Sequence, residues 1–428
     1  MVRYVQRQRV ATARLMCRAW LGLGLAAVLF FMFTVATVRA QGTRDGQPRP
    51  QQRPRRVGAP RTSATPQGEK TAAPIDTAGT VEEVGEDEVV RVDTQLVPVP
   101  VVVRDRAGRP LAGLRAENFV IYEDGKPQRV ANFATTDVPF EVALLLDTSG
   151  STRADLGLIR RAANLFIEAL RPGDRVSIIS FNTREEEGIK QAIVEVQTPL
   201  TDDREALREA LENIGASNGT PYYDAVELIV RNVFREPPRA ELRGRRALVA
   251  LTDGVDSTSE AEFTEARTQL LTSGAPSYFI QVNTESFVED RLMKDCQDDG
   301  RLSLSRVQLQ RYRRLFNPRA DALDYANFCE LGPFERMQIS RLLYQLAKQE
   351  MSDLARASGG QSFTALDLRD ARQAFAQVAA EIGKQYSLGY YSTNKTRDGS
   401  FRKIRVELRG AGQGAQVSAR EGYQAPRS

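Results

Sequence analysis

The sequence predicts an α/β fold: a domain with a mostly parallel sheet covered on both faces, inserted in or flanked by a small β-sandwich-like domain. Three observations predict it. Val142–Leu146 (VALLL) is an unbroken apolar run, as expected of a strand buried on both faces. From Glu141 to about residue 385, short β-prone runs alternate with segments of helical period. The stretches on either side are strand-rich and have no helices of their own.

Taken in order, Gln95–Arg104 (QLVPVPVVVR) reads as a strand, and Pro98 and Pro100 predict that it lies at a sheet edge. Asp105–Gly108 is a turn signal. Phe119–Glu123 is a second strand, closed by a hairpin turn over Glu123-Asp124-Gly125-Lys126. Residues 93–138 thus form the first half of a β domain, too small to stand alone. The α/β domain occupies 139–385. After Val142–Leu146, a helix is marked by Leu158, Ala162, Leu165, Phe166 and Ala169. Val176–Phe181 is a strand. Ala206, Leu207, Ala210, Leu211 and Ile214 mark a helix, and Tyr222–Phe234 another. Then come a strand (Ala247–Leu251), a helix (Glu260–Leu271) and a strand (Ser277–Val282). Residues 285–335 break the rhythm and read as a surface insertion that shapes the rim of the binding face. Ile339, Leu342, Leu343, Leu346 and Ala347 mark a helix ending at Gly359-Gly360. Gln361–Ala365 is a strand, and Ala371, Phe375, Val378, Ala379 and Ile382 mark the last helix. Tyr386–Ser392 and Phe401–Leu408 are strands, so residues 386–428 supply the second half of the β domain and a tail.

Composition narrows the function. The chain has 428 residues and no histidine, so neither Ser-His-Asp chemistry nor a His-based zinc site is available. The first 40 residues carry six arginines and no acid; without them the formal charge of +4 becomes −2. The remainder has no bias toward nucleic acid. The basic stretch Arg3–Arg18, the apolar run Trp20–Val38 and the site Val38-Arg39-Ala40 read as a signal peptide over 1–40, with an uncleaved membrane anchor as the alternative. Either reading predicts a secreted, periplasmic or envelope-tethered protein. Residues 41–92, rich in Pro, Arg and Gln, read as a disordered linker. Cys296 and Cys329 form a candidate disulfide in an oxidising compartment, two buried thiols being the alternative. The Arg311–Arg314 run reads as a solvated helix face.

The chemistry-bearing motif stands at the carboxyl end of the first buried strand, where open α/β sheets place their ligand sites. It is Asp147-Thr148-Ser149-Gly150-Ser151, a carboxylate and two hydroxyls on one turning loop. Two further loops present Thr220, before Pro221, and Asp253, in Leu251-Thr252-Asp253-Gly254. Taken singly, Asp147 with its serines fits a helix cap, Thr220 an N-cap, and Asp253-Gly254 a turn. Together the three loops offer hard oxygen ligands suited to Mg²⁺ or Ca²⁺. Few charged ligands would leave such an ion with residual positive charge, attractive to an acidic group on a partner.

This arrangement resembles the metal-ion-dependent adhesion site of von Willebrand factor type A domains and integrin I domains. Asp147, Ser149, Ser151, Thr220 and Asp253 fill all five positions with the residue types of that family. The flanks, Phe119–Gly125 and Tyr386–Tyr391 (YSLGYY), are similar to a bacterial secreted group, common in Acidobacteria, described as related to the same domain. The resemblance implies a Rossmann-like sheet, Mg²⁺ or Mn²⁺, and protein ligands offering Asp or Glu. The expectation is a non-enzymatic adhesion module that binds a protein partner and no nucleic acid. The alternatives are a metal-dependent hydrolase, with Asp224 or Asp256 as base, and a structural domain without a working metal site.

Overall fold

The computed structural model describes residues 96–135, 138–152, 156–236, 245–293, 304–366, 368–410 and 414–427. The leader, the linker and Cys296 lie outside them.

The centre is a six-stranded sheet in the order β10-β9-β8-β5-β6-β7. Its strands are β5 (Glu141–Leu146), β6 (Arg175–Glu186), β7 (Ile189–Thr201), β8 (Arg246–Thr252), β9 (Ser277–Val282) and β10 (Gln361–Ala365). All neighbours are parallel except β6 and β7, which are antiparallel. Period-two alternation sends the residues of β5 to opposite faces. Val142, Leu144 and Leu146 pack under α1 (Leu156–Ala169), α2 (Arg204–Asn213) and α8 (Ala371–Gly383). Ala143 and Leu145 pack under α3 (Tyr222–Leu228), α4 (Phe263–Ser273) and α7 (Pro333–Ser358). Helices on both faces explain why every residue of β5 is buried.

The structure corrects or extends the sequence reading at four places. The strand expected over Val176–Phe181 runs on to Glu186 and returns as β7. That hairpin is polar at its tip, which hides it from a search for apolar runs. The helix expected over Tyr222–Phe234 is α-helical to Leu228 and π-helical over Ile229–Val233. The 285–335 segment folds into α5 (Glu285–Leu292) and α6 (Arg306–Phe316), whose Leu292, Leu309 and Tyr312 share an apolar core with Leu343 of α7. Arg311 is not solvated: it is buried, ion-paired to Glu350 at 2.6 Å, and stacked on Tyr223 at 4.9 Å. Cys329 is disulfide-bonded.

Two four-stranded antiparallel sheets draw on both chain flanks. One has the order β13-β1-β11-β4 and the other β14-β12-β2-β3. The strands are β1 (Leu96–Arg104), β2 (Phe119–Glu123), β3 (Lys126–Gln128), β4 (Val130–Ala134), β11 (Tyr386–Tyr391), β12 (Phe401–Leu408), β13 (Gln416–Ala419) and β14 (Gly422–Gln424). Val99, Val101, Ile121, Tyr386 and Leu388 share their core. β1 is not an edge strand, since it lies between β11 and β13. Its prolines are tolerated because β13 pairs only with Val101–Arg104, leaving Pro98 and Pro100 with an unpaired side.

The described residues all belong to one unit, Glu88–Ser428. Within it, Arg104 of β1 forms a buried ion pair with Glu381 of α8 at 2.6 Å. Arg420 donates to the Leu271 carbonyl in the last turn of α4 at 2.7 Å. Gly360 is required where the chain enters β10, because a Cβ there would meet the Ser277 carbonyl oxygen at 2.0 Å.

Candidate functional site

The carboxyl ends of β5 and β8 lie side by side, paired through Leu146 and Leu251. The residues that follow therefore emerge together. Asp147 is fully buried and held at both oxygens. Its Oδ1 accepts from the Ser149 N–H at 3.0 Å, and its Oδ2 accepts from the Thr252 hydroxyl at 2.6 Å. Thr152 donates to the carbonyls of Asp147 and Ser149 and fixes the turn. Thr148 points the other way and donates to the Phe181 carbonyl at 2.6 Å. Alternation along the loop thus leaves Ser149 and Ser151 on the side of the carboxylates.

Asp253 closes the group. Its Oδ2 accepts from Ser151 Oγ at 2.9 Å and from Thr284 Oγ1 at 2.7 Å. With the Ser151 proton so used, Ser149 donates across the 3.3 Å to Ser151. With the Thr284 proton used, Tyr344 Oη donates to Thr284 at 2.7 Å. Thr220 arrives on a third loop. Its N–H donates to Ser257 Oγ at 2.8 Å, and its carbonyl accepts from Ser257 N–H at 3.0 Å. Asp256 supports that loop by accepting from the Tyr222 and Tyr223 N–H groups at 2.9 and 3.3 Å, capping α3. All the residues expected from the sequence except Asp147 (namely Ser149, Ser151, Thr220 and Asp253) line one pocket of about 90 Å³, and Asp147 is tied to that lining through the Ser149 N–H.

Burial first, and then the neighbouring Asp253 carboxylate, push Asp147 up to about 7; the hydrogen bonds from Ser149 and Thr252 oppose the shift. Among the described residues, neither carboxylate is ion-paired to Lys or Arg. Two converging carboxylates without a basic partner, beside three hydroxyls, fit a hard divalent cation. No cluster of three His, Cys, Asp or Glu occurs among the described residues, so a cation here would be bound with only two formal negative charges.

Sequence reasoning missed Thr252, Thr284 and Tyr344. Thr252 precedes Asp253 and Thr284 follows β9, so both lie where the carboxyl-end rule could have found them. Tyr344 comes from the middle of α7, and nothing in its local sequence marks it. Asp256 and Asp224 were candidate bases. Asp256 is occupied in capping α3, and Asp224 accepts from the Glu260 and Ala261 N–H groups. The insertion lines the pocket with Val288, Leu292, Leu304 and Gln308.

Residues 142–255 match the family model described as von Willebrand factor type A domain. No curated protein matches the sequence. Among solved structures, the chain is similar to a von Willebrand factor type A protein from Catenulispora acidiphila, at 13% identity and TM-score 0.35, covering 79% of this chain and 75% of that one. It is similar to proximal thread matrix protein 1 from the mussel byssus, at 9% identity and TM-score 0.33, over 58% of this chain and 49% of the mussel protein. The SpRpn10 VWA domain matches at 10% identity and TM-score 0.31, over 55% of this chain and 94% of that domain. The chain thus spans about half the length of the mussel protein.

Proposed function

We propose that this protein is an extracytoplasmic, non-enzymatic adhesion module that grips an acidic group of a partner protein through a divalent cation, Mg²⁺ or Mn²⁺, with Ca²⁺ a further fit. The observation that carries the reading is the buried pair Asp147 and Asp253, which has no basic partner among the described residues and meets the hydroxyl-bearing residues Ser149, Ser151 and Thr220 at the ends of three loops. Von Willebrand factor A domains commonly mediate protein–protein interaction, and residues 142–255 match that family. The leader-like segment Arg3–Ala40 supports the extracytoplasmic setting.

In this reading Asp147, Ser149, Ser151, Thr220 and Asp253 hold the cation. The bound cation would supply a Lewis-acidic position open to a partner carboxylate. The chain does the rest. Thr252 fixes the rotamer of Asp147, Thr284 and Ser151 fix Asp253, and Ser257 with Asp256 fixes the Thr220 loop. These contacts hold the ligands in place before the ion arrives. With only two carboxylates among otherwise neutral oxygen ligands, coordination positions would be left for a partner's carboxylate to fill. With Asp224 and Asp256 engaged in backbone hydrogen bonds, the site supports binding better than hydrolysis.

The test is a Mn²⁺ titration of the intact chain, followed by loss of the free-ion paramagnetic resonance signal. Saturable one-site binding, abolished in Asp253→Ala and competed by Mg²⁺, is expected. Equal uptake by wild type and Asp253→Ala would overturn the reading.

A further inference from the structure

The pocket above the two carboxylates has two chemically different walls. One is the oxygen-rich loop set of Ser149, Ser151, Thr220 and Asp253. The other is built by the insertion and by α7, and presents Val288, Leu292, Leu304 and Leu343 with the polar Gln308, Ser340 and Tyr344 beside them. Nothing in the ion-binding reading needs an aliphatic wall. The two walls enclose about 90 Å³, several waters' worth of space. Water held against aliphatic side chains is readily displaced by an apolar group. The wall is also firmly built. Leu292 and Leu304 of the insertion share an apolar core with Leu343 of α7, and Arg311 is pinned to Glu350 of α7.

We propose that the partner is recognised by a two-part motif: an acidic side chain directed at the cation, and an adjacent aliphatic side chain that fills the pocket under Val288 and Leu292. The insertion then determines specificity, selecting among acidic surfaces that the cation alone would treat alike. The inference rests on the proposed function above. Charge complementarity names the first half of the motif and the aliphatic wall names the second.

The test uses the intact chain, saturating Mg²⁺, and blocked tetrapeptides of the form Gly-Asp-Xaa-Gly, with binding measured calorimetrically. Each buried methylene is worth about fourfold in affinity. With Xaa as Leu the peptide should bind about tenfold or more tighter than with Xaa as Ala or Ser. Replacing the peptide's Asp by Asn, or adding EDTA, should abolish binding. Val288→Asn should narrow the difference between the Leu and Ala peptides. Equal binding of the Leu, Ala and Ser peptides would overturn the proposal while leaving the cation reading intact. Leu-dependent binding that survives both EDTA and the Asn peptide would overturn it too, because the pocket would then act without the ion. A parallel Mg²⁺ titration that shows no uptake would remove the cation reading, and the two-part motif with it. The peptide series needs no altered protein, so the outcome does not depend on how a variant folds.

Discussion

The two ends of strand β5 carry the same kind of side chain in opposite circumstances. At its amino end, Glu141 is buried between Arg175 and Arg246, each at 2.7 Å. At its carboxyl end, Asp147 is equally buried, yet its neighbours are hydroxyls, a backbone N–H and a second carboxylate. Burial of a charge is costly unless it is paired. The protein meets that requirement at the amino end with its own guanidinium groups. At the carboxyl end no Lys or Arg among the described residues pairs with Asp147, burial raises it toward protonation instead, and that asymmetry is what supports the proposed cation at this end.

The comparison can be broken most forcefully at the amino end. Glu141→Ala leaves Arg246 buried without its carboxylate, so it should cost about 3–5 kcal/mol in urea unfolding, with or without Mg²⁺. Asp147→Asn should behave oppositely. In EDTA it removes an unpaired buried charge and keeps the acceptor for Ser149, so stability should hold or rise, while the response to Mg²⁺ disappears. If both variants lost stability alike in EDTA, the two ends would be equivalent and the asymmetry would carry no meaning.

A pH series sharpens the same contrast. Asp147 in the folded state stands at about 7, above its ordinary value of 3.8. Between those values the folded chain holds a proton that the unfolded chain has released. Stability without divalent ions should therefore fall as pH rises from about 4 to 7, by a few kcal/mol at most. Asp256, raised by burial to about 6, acts in the same direction over the lower part of that window. Saturating Mg²⁺ should flatten the Asp147 share and leave the Asp256 share. A pH profile in EDTA that rises across this range would contradict the assignment.

The smallest effects lie in the supporting contacts. Thr284→Val removes one of the donors that orient Asp253 and should weaken Mg²⁺ binding about tenfold in calorimetric titration. Tyr344→Phe acts one contact further out, through Thr284, and should weaken it less. A Tyr344→Phe effect larger than that of Thr284→Val would mean that the 3.5 Å approach of Tyr344 to Asp253 matters more than the relay through Thr284.

Much of this was legible in the residues. The VALLL run and the alternation after it reveal a doubly covered sheet, because a strand buried on both faces has no polar side to show. The ends of β5 and β8 reveal the site, because neighbouring parallel strands deliver their loops to one place. What stayed hidden was long-range. Pro98 and Pro100 suggested an edge, whereas the pairing of β13 with only half of β1 makes an interior strand compatible with proline. Arg311 looked like one more exposed arginine, and only the packing of α6 against α7 brings it to Glu350. Tyr344 reaches the site from the middle of a 26-residue helix whose local sequence says nothing about Asp253.

The most direct test of the central claim is thermal unfolding of the intact chain in EDTA and in Mg²⁺, with Asp147→Ala alongside. A cation at about a hundred times its Kd should stabilise the wild type by roughly 2.7 kcal/mol. For a domain of this size that is a rise in Tm of several degrees. The account predicts this rise for wild type and none for Asp147→Ala. Coincident wild-type transitions in EDTA and Mg²⁺, or an equal rise in the variant, would contradict it.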